Sequence, residues 1–251
     1  MAKKILILFL LLSFISLTPH PLAHGLRARF VVWNVGQGQW VSRIEDRFCL
    51  HFDAGGEYSP LLLVRQHCAG KTNLFFFSHW DWDHLSFASS AHFRLSPACI
   101  LNLPPGVAAF KKQKILNRFQ VCESRLRQNL VGRALYLVDR PSVQSSRAND
   151  LSQVIRFKGW LIPGDAPIRN ERLWAHRLSP DSVRILLLGH HGSQTSTSNL
   201  LLNRLSQIRQ AIASSRRQRY GHPHIAVKKR LHAQAIPLVS TEEWGHLLFM
   251  D

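Results

Sequence analysis

The chain is organised around residues 78–84, which read Ser78-His79-Trp80-Asp81-Trp82-Asp83-His84. They follow Leu74-Phe75-Phe76-Phe77, an apolar and aromatic run that predicts a buried strand. Alternate side chains of an extended chain share one face, so His79, Asp81 and Asp83 can project together past the strand end. His84 begins the next turn and can reach the same cleft. Imidazole and carboxylate groups bind zinc, manganese or iron, so this spacing predicts a metal site rather than a polar loop assembled by chance.

Two further candidate ligands follow other predicted strands. The strand at 159–162 ends in Pro163-Gly164-Asp165-Ala166, and the apolar strand at 183–188 ends in Gly189-His190-His191-Gly192-Ser193. Asp165 offers a carboxylate able to bridge two cations, which in dinuclear sites lie about 3.5–4 Å apart. Two adjacent histidines cannot easily serve one metal from the same strand end. We therefore assign His191 as a ligand and His190 as a contact to substrate or to structure.

Composition favours a folded domain with an anionic partner. The 251 residues suffice for one large domain or two small ones, and a hydrophobic content of 45% allows a sizeable core. Lys and Arg outnumber Asp and Glu by 32 to 15, a net charge of +17. Nucleic acid, an anionic membrane surface or a phosphorylated polymer would suit this charge, although a generally basic protein is the alternative. Together with a metal-hydrolase site, the charge favours a phosphodiester substrate.

The first 25 residues resemble a targeting segment. Lys3 and Lys4 precede an almost unbroken apolar run at 5–17, and Ala23-His24-Gly25 offers small residues at a plausible cleavage site. This predicts a signal peptide over 1–25, or alternatively an uncleaved N-terminal anchor, and a hydrolase domain over 26–251. The protein is then exported, to the periplasm or outside the cell, and meets a membrane only through an uncleaved N-terminal segment.

Cysteine spacing leaves the redox state open. The chain has no CxxC pair, so its four cysteines do not predict a zinc site. An exported protein could join them in one or two disulfides with three full pairings, or keep them as buried thiols. The cysteines are Cys49, Cys68, Cys99 and Cys122.

Strands cluster early in the chain and then alternate with helices, which predicts a layered α/β domain. Candidate ligands follow strand ends throughout, as expected for the chemistry of an open sheet. Predicted strands cover 27–33, 40–41 onward, 48–52, 74–77, 98–103, 135–138, 154–157, 159–162, 183–188, 210–214, 236–240 and a last strand after a turn at 241–245. Predicted helices cover 59–67, a long basic helix at 108–130, 171–178, 198–209 and 225–234.

Other polar residues suggest supporting roles. Asp53 ends a strand beside two glycines, where it could support a metal ligand or simply form a turn. His222 lies in a basic, histidine-rich loop and could contact phosphate or protonate a leaving oxygen; a surface histidine is the alternative. Arg216, Arg217 and Arg219 in that loop could hold a nucleic-acid backbone.

The order of these motifs resembles that of the metallo-β-lactamase fold superfamily, and most closely the hydrolase domain of ComEC-type competence proteins. The resemblance covers about residues 28–250 and rests on Val35-Gly36-Gln37-Gly38, Asp53-Ala54-Gly55-Gly56, His79-Trp80-Asp81-Trp82-Asp83-His84, Asn149-Asp150-Leu151-Ser152, Gly164-Asp165-Ala166, His190-His191-Gly192-Ser193, Tyr220-Gly221-His222-Pro223-His224 and Ser240-Thr241.

The resemblance implies a single domain with a four-layer αββα sandwich and a dinuclear centre at one edge. It implies that His79 and Asp81 serve one metal, that Asp83 and His84 serve the other, that Asp165 bridges them and that His191 completes the second site. Asn149 lies in the region of the superfamily's third histidine, and with Asp53 it is a candidate for supporting the ligands from behind. Asp83, His190 and His222 are the candidate catalytic residues.

Some residues depart from the family pattern without removing a ligand. Gln39 stands where the family commonly has Asp, residues 85–87 lack a glycine that often follows the motif, and Trp80 and Trp82 are bulky. Asp81 makes the site harder than a histidine would, so manganese stands beside zinc as the candidate for the two divalent cations.

The predicted function is a dinuclear-metal-dependent hydrolase of phosphodiester bonds, a nuclease acting on DNA as the ComEC-type domain is thought to do. One alternative is an exported phosphodiesterase acting on an envelope polymer or a phosphorylcholine-type ester. Another is a non-catalytic protein that binds metal and nucleic acid. Hydrolysis of β-lactams or thioesters is disfavoured by Asp81 and by the basic surface. Metal identity, substrate and oligomeric state remain open at this point.

Overall fold

The computed structural model describes residues 28–126, 136–138 and 147–250. Within these residues two β-sheets pack face to face and helices cover both outer faces, so the predicted αββα layering is confirmed. The predicted targeting segment at 1–25 lies outside the described residues. In the described part of the chain, no helix combines the length and apolar character that a membrane crossing needs.

The first sheet has the strand order β13-β1-β2-β3-β4-β5-β6. Its β13-β1-β2-β3 half is antiparallel, and β3, β4, β5 and β6 run parallel to one another. The strands are β1 (Arg29–Val32), β2 (Val41–Ile44), β3 (Phe48–Phe52), β4 (Thr72–Phe76), β5 (Ala98–Asn102), β6 (Gln120–Val121) and β13 (Leu247–Met250).

The second sheet has the order β12-β11-β10-β9-β8-β7. Strands β9 to β12 run parallel, and β7 and β8 are antiparallel to their neighbours. The strands are β7 (Tyr136–Val138), β8 (Val154–Phe157), β9 (Trp160–Ile162), β10 (Ile185–Leu187), β11 (Gln210–Ala213) and β12 (Leu238–Ser240).

Short helices connect the strands. The α-helices are α1 (Leu61–Cys68), α2 (Trp82–Leu85), α3 (Ala88–Arg94), α4 (Phe110–Leu116), α5 (Ile168–Trp174), α6 (Asn199–Arg204), α7 (Arg217–Tyr220), α8 (Ile225–Ala233) and α9 (Thr241–Trp244). The 3₁₀ turns are Ala148–Leu151, Ala175–Arg177, Pro180–Ser182 and Gly189–Gly192.

The core follows from the two-residue period of the strands. On β4, Leu74 and Phe76 pack between the two sheets, whereas Phe75 and the following Phe77 pack outward against helices. All four side chains are buried. A strand that is buried on both faces has a continuous apolar sequence, which is why residues 74–77 predict a strand.

The structure corrects several predicted element bounds. The helix predicted over 108–130 ends at Leu116 and is followed by strand β6, because the chain returns to pair beside β5. The helix predicted over 198–209 ends at Arg204, and the one predicted over 171–178 covers Ile168–Trp174 before a 3₁₀ turn. The turn predicted at 241–245 contains the short helix Thr241–Trp244. Tertiary pairing and burial override local propensity at each of these places.

Both pairs of cysteines form disulfides. Cys49 on β3 bonds to Cys68 at the end of α1, and Cys99 on β5 bonds to Cys122 just after β6. The first bridge ties a helix to the sheet, and the second closes the excursion that contains α4.

Candidate metal centre

The predicted ligands meet at one edge of the sandwich. His79 follows β4, Asp165 follows β9 and His191 follows β10, and in each case the residue lies just past the carboxyl end of a parallel strand. Parallel strands present these ends at the same edge of a sheet, and the two sheets present them side by side. The fold therefore brings together side chains that are up to 112 positions apart in the sequence.

Asp165 lies at the centre of the cluster. Its Oδ1 atom is 3.0 Å from His84 Nε2 and 3.7 Å from His191 Nε2. Its Oδ2 atom is 3.8 Å from His79 Nε2 and 3.6 Å from His190 Nε2. The two oxygens thus face two different groups of histidines, an arrangement that would allow the carboxylate to bridge two cations.

The group around Oδ1 is compact. Asp83, His84, Asp165 and His191 each offer one ligand atom, and these atoms lie within 4.8 Å of one another. His191 Nε2 is 3.1 Å from Asp83 Oδ2 and 3.2 Å from His84 Nε2. Two imidazoles and two carboxylates at these distances form a donor set that suits a divalent transition metal.

The group around Oδ2 is more open. His79 Nε2 lies 3.6 Å from Asp81 Oδ2, and the side chain of Asp81 is 40% exposed. Lys112 approaches the other oxygen of Asp81 to 4.0 Å. His190 borders this side with a side chain that is 30% exposed. The structure thus separates the two adjacent histidines, since His191 is buried in the Oδ1 group and His190 faces the cleft.

The imidazoles are oriented from behind by hydrogen bonds. His84 Nδ1 donates to Asp53 Oδ2 at 2.7 Å, and His191 Nδ1 donates to the carbonyl oxygen of Ser214 at 3.0 Å. Ser78 Oγ donates its hydrogen to Asp53, so it can only accept from His79 Nδ1, which lies 2.9 Å away. In each ring the Nε2 lone pair is therefore left facing the centre, as in metal sites whose outer partners set the tautomer.

Asp53 is the hub of this support. Besides His84, its carboxylate accepts from Gln39 Nε2 at 2.7 Å, from the backbone N–H of Ser78 at 2.7 Å and from Ser78 Oγ at 2.8 Å. Its φ of 59° lies in the left-handed region, which non-glycine residues adopt at a cost. Gln39 therefore serves as a donor to Asp53.

Two buried atoms at the centre lack hydrogen-bond partners among the described residues. They are His79 Nε2 and Asp165 Oδ1, whose 3.0 Å contact with His84 Nε2 lacks hydrogen-bond geometry. A buried polar atom without a partner is costly, and it is explained where the atom binds an ion. These atoms lie where a bridged pair of cations would take them as ligands, so the residues present fit a divalent metal centre.

Burial and charge shift the ionisation of the central groups in opposite directions. Burial raises the pKa of Asp165, but the charges of His84 and His191 outweigh it and hold that pKa well below its usual range. Burial lowers the pKa of His84, but Asp165 and Asp53 raise it well above the ordinary value. The pKa of His191 is raised in the same way by Asp165 and Asp83. Protons therefore compete with a metal ion for the nitrogens of His84 and His191, which couples metal binding to pH.

The loop that holds the adjacent histidines is strained. His190 and His191 both have positive φ values, 49° and 56°. Strained non-glycine backbone persists only where the surroundings impose it, often at functional sites. Here the backbone N–H of His190 donates to the Gly164 carbonyl, and the Gly192 carbonyl accepts from the N–H of His224. The loop is thus held between the loop that carries Asp165 and the loop that carries His222.

His222 lies beside His190 at the mouth of the site, with 6.0 Å between the ring centroids. Burial, followed by the nearby charges of His191 and His190, lowers the pKa of His222 to about 4. At neutral pH this ring is therefore neutral and can donate a hydrogen bond from only one of its nitrogens.

The predicted arginines have different surroundings. Arg216 Nη1 lies 3.3 Å from Glu57 Oε1, and Arg219 Nη1 lies 2.9 Å from the same oxygen. Arg217 borders a separate groove of about 450 Å³ beside Glu242. Arg216 and Arg219 thus share one carboxylate, so only part of their charge is available to an anionic ligand.

The two tryptophans of the central motif differ in burial. Trp80 is buried in the core beneath the helices of the first sheet, and its carbonyl oxygen accepts from Lys112 Nζ. Trp82 is 41% exposed, with Lys111 and Lys112 each 5.4 Å from its ring centroid. Trp80 therefore packs the loop, whereas Trp82 and the start of α4 form a basic, aromatic rim.

Sequence reasoning missed the hydroxyl and amide groups that support the centre. Ser78, Ser152 and Gln39 lie in or next to the motifs without any sequence sign of a supporting role, and Ser214 gave no signal, because serine and glutamine are common in loops. Ser152 Oγ accepts from the backbone N–H of Asp165 at 2.9 Å and lies 3.4 Å from His79 Nδ1. Asn149, the predicted supporting residue, lies three positions before Ser152 and its side chain bonds no described candidate ligand.

Comparison with known proteins is consistent with this geometry. No family model matches the sequence. Recombination protein 2 from Haemophilus influenzae is 40% identical over 87 residues, which are 35% of this chain and 11% of that protein. Competence protein ComA from Neisseria gonorrhoeae is 34% identical over 90 residues, or 36% of this chain and 13% of the relative. The match thus spans only a small part of the length of these relatives.

Solved structures match over most of the chain. A diphosphatase from the PhnP family superposes with a TM-score of 0.52 at 12% identity, covering 90% of this chain and 98% of that one. The metallo-β-lactamase fold protein YhfI from Bacillus subtilis gives a TM-score of 0.53 at 9% identity, covering 90% and 100%. The chain therefore has the metallo-β-lactamase fold, as the order of its motifs predicted.

Proposed function

We propose that this protein is a metal-dependent hydrolase of phosphodiester bonds and that its substrate is DNA. The observation that carries the proposal is the convergence of His79, His84 and His191 on Asp165, each with Nδ1 occupied and Nε2 facing the centre. The fold, shared with a diphosphatase, supports hydrolysis. The local similarity to competence and recombination proteins, together with a net charge of +17, supports DNA as the substrate.

In this proposal the centre would take two divalent cations, zinc or manganese. His79 and Asp81 would hold one of them, Asp83, His84 and His191 would hold the other, and Asp165 would serve both. When bound, the cations supply an acidified water as nucleophile and neutralise charge that develops on the phosphate. Asp53 keeps His84 in the ligating tautomer, and Asp83 would serve as a ligand beside His191.

Substrate is held by the residues around the mouth. His190 contacts the scissile phosphate from the open Oδ2 side, and His222 donates a hydrogen bond to a phosphate or leaving-group oxygen. The rim of Trp82 and Lys111 lies on one side of the cleft. Arg216, Arg217 and Arg219 are candidates for contacts with the flanking backbone, with Arg217 the one that does not share Glu57.

The cellular location belongs to the same proposal. We place the protein outside the cytoplasm, with residues 1–25 acting as a signal peptide or anchor. Two disulfides support this placement, because disulfides persist mainly in oxidising compartments. The resemblance to competence proteins connects an exported DNA hydrolase with DNA uptake.

Elemental analysis of the purified protein paired with a nuclease assay tests the proposal. We expect about two zinc or manganese ions per chain, chelator-sensitive hydrolysis of bis-p-nitrophenyl phosphate, and cleavage of linear or circular DNA. Asp165→Asn keeps the shape of the side chain and should abolish both metal binding and hydrolysis. A metal-free protein whose activity resists chelator would refute the metal centre, and intact DNA with zinc, manganese and magnesium would refute the nuclease.

An exported phosphodiesterase for an envelope polymer or phosphorylcholine-type ester uses the same centre without a DNA path. Salt separates the two, because each phosphate contact adds about −0.9 to the slope of log K against log salt for duplex DNA. A slope near zero with hydrolysis of the small ester would favour the envelope substrate. Metal and DNA binding without any turnover would identify a binding protein.

A further inference from the structure

Gln37 connects the first tight turn of the chain to the loop that carries His222. Its side-chain Nε2 lies 3.3 Å from His222 Nδ1, and its Oε1 accepts from the backbone N–H of Arg216 at 3.1 Å. The two partners are 185 and 179 positions away in the sequence. Gln37 is 8% exposed, so these contacts are shielded from water.

The contact with Arg216 determines which way the amide of Gln37 points. A backbone N–H can only donate, so the atom that faces it must be the carbonyl oxygen of Gln37. The amide nitrogen then faces His222 and donates to Nδ1. A neutral imidazole that accepts at Nδ1 carries its hydrogen on Nε2. The backbone of Arg216 thereby fixes the tautomer of His222 through Gln37.

Gln37 is itself anchored. Its backbone N–H donates to Glu57 Oε2 at 3.1 Å, and the same carboxylate accepts from Tyr220 Oη at 3.1 Å. A Cβ at Gly36 would lie 2.6 Å from Glu57 Oε2, so the turn approaches this carboxylate as closely as a glycine allows. Glu57 therefore holds the turn of Gln37 and the loop of His222 against each other.

We propose that Gln37 is a positioning residue that holds His222 as the Nε2–H tautomer, so that His222 presents a hydrogen-bond donor to a phosphodiester oxygen. This inference rests on the proposed function for its consequence, but the tautomer itself does not depend on activity. The His222 ring lies beside His190, with 6.0 Å between the ring centroids, and His190 Nε2 is 3.6 Å from Asp165 Oδ2, so the His222 ring borders the proposed centre. A ring with the opposite tautomer would present a lone pair there and repel an anionic oxygen.

Nitrogen-15 NMR of histidine-labelled, zinc-loaded protein tests the tautomer directly, with the His222 resonances identified by their loss in His222→Ala. We expect the pattern of an unprotonated Nδ1 and a protonated Nε2. Gln37→Glu places a carboxylate against Nδ1 and should move a proton onto that nitrogen. Gln37→Met removes the donor and should give a mixture of tautomers. Gln218→Met makes the same change at an exposed position of the same loop, where only the backbone N–H is hydrogen-bonded among the described residues, and should leave the pattern unchanged.

Kinetics on bis-p-nitrophenyl phosphate provide the second measurement. Outer partners of metal-ligating histidines are typically worth about 10- to 100-fold in activity, and we take the lower end for a histidine that would contact the substrate. We expect Gln37→Met to lower kcat about 10-fold with little change in KM, and to have no further effect in the His222→Ala background, because the two residues act as one unit.

The outcomes are separable. A His222 that carries its hydrogen on Nδ1 in the wild type, or a tautomer unchanged by Gln37→Glu and Gln37→Met, overturns the assignment to Gln37. Additive kinetic losses of Gln37→Met and His222→Ala also overturn it. If no phosphodiester is cleaved under any metal, the proposed function fails while the NMR result still decides the role of Gln37.

Discussion

At the scale of single residues, this protein shows how histidines are given different tasks by their partners. His84 is held by a carboxylate, His191 by a backbone carbonyl and His222 by an amide. His51 lies in the core, where Nδ1 accepts from Ser42 Oγ at 2.8 Å and Nε2 donates to Asn73 at 3.0 Å. The same side chain thus serves as candidate ligand, candidate donor or structural element according to which nitrogen is occupied.

Asp53→Asn should weaken metal binding about 10- to 100-fold, the range for losing an outer partner of a ligating histidine. The asparagine can no longer accept all of the hydrogen bonds from His84, Ser78 and Gln39, so His84 loses its fixed orientation. Competition with a chromophoric chelator measures the affinity. Asp46→Asn, an exposed acid in the β2–β3 turn, is the control and should bind metal like the wild type. Equal affinity of Asp53→Asn and the wild type would contradict this support.

His51 should make the protein less stable in acid. Burial lowers its pKa in the folded state to about 4, below the ordinary 6.5 of an unfolded chain. Between these pH values the unfolded chain binds more protons than the folded protein. The free energy of unfolding therefore decreases as the pH is lowered, by roughly 3 kcal/mol in total. The stabilisation is complete above about pH 6.5 and is lost as pH falls toward 4. Urea unfolding of metal-free protein across this range measures it.

A His51→Gln variant provides the comparison for this acid effect. Glutamine cannot titrate, so the variant should be less stable than the wild type at pH 7 but should lose less stability on acidification. A pH dependence of unfolding that is the same in both proteins would assign the acid effect to other groups.

At the scale of elements, the centre depends on loops that dock on one another. Strands β3, β4, β9 and β10 bring the ligands to one edge, but the final placement comes from close backbone contacts. A Cβ at Gly38 would lie 2.6 Å from the carbonyl oxygen of Asp83, and a Cβ at Gly55 would lie 2.5 Å from the backbone of His84. The turns that contain Gly38 and Gly55 therefore pack directly against the backbone of the central motif.

Gly192→Ala should separate the loop of His190 and His191 from the loop of His222. A Cβ there would lie 2.6 Å from Pro223 Cβ, at a φ of +88°. Gly221→Ala is a matched control with a φ of +71° and no atom within 4 Å of the added Cβ. Both pay about 1–2 kcal/mol for the left-handed backbone, and Gly192→Ala should lose roughly 1–3 kcal/mol more through the clash.

Chemical denaturation measures this difference, and hydrolysis of a small phosphodiester reports on the site. Activity should fall further in Gly192→Ala than in Gly221→Ala. Equal stability and activity of the two variants would show that the loops do not rely on this contact.

At the scale of the whole molecule, the protein combines two sheets, two disulfides and a strong positive net charge. The described residues form one core between the sheets and one beneath each helical layer. The Cys99–Cys122 bridge closes the segment that contains α4, and Lys112 of α4 reaches the carbonyl oxygen of Trp80 in the central motif. The bridge thus fixes one wall of the site as well as stabilising the fold.

Removing either disulfide should lower the free energy of unfolding by roughly 3 kcal/mol, as expected for closed loops of about 20 residues. Paired Cys→Ser substitutions and denaturant titrations measure this loss. The Cys99→Ser/Cys122→Ser variant should also hydrolyse phosphodiesters more slowly, because α4 loosens. The Cys49→Ser/Cys68→Ser variant is the control, since that bridge ties α1 to the sheet. Equal rates in the two variants would contradict a role of α4 in the site.

The sequence by itself determined the layered architecture and the positions of the candidate ligands. The continuous apolar run at 74–77 predicts a strand buried on both faces, and a strand end fixes where the polar residues after it can lie. The outline of a metal site at 79–84, 165 and 191 therefore follows from local patterns. The end of the helix at Leu116 did not follow, because the strand that succeeds it exists only through pairing with β5.

Only the tertiary structure decided how each side chain is held. The partners of His84, His191 and His222 lie 31, 23 and 185 positions away, and no local pattern marks them. The tautomer of a histidine is set by whichever hydrogen-bond donor or acceptor the fold brings to the ring, not by neighbours in the sequence. The sequence thus names the groups that can bind a metal or a phosphate, and the packing of the two sheets determines which nitrogen of each does so.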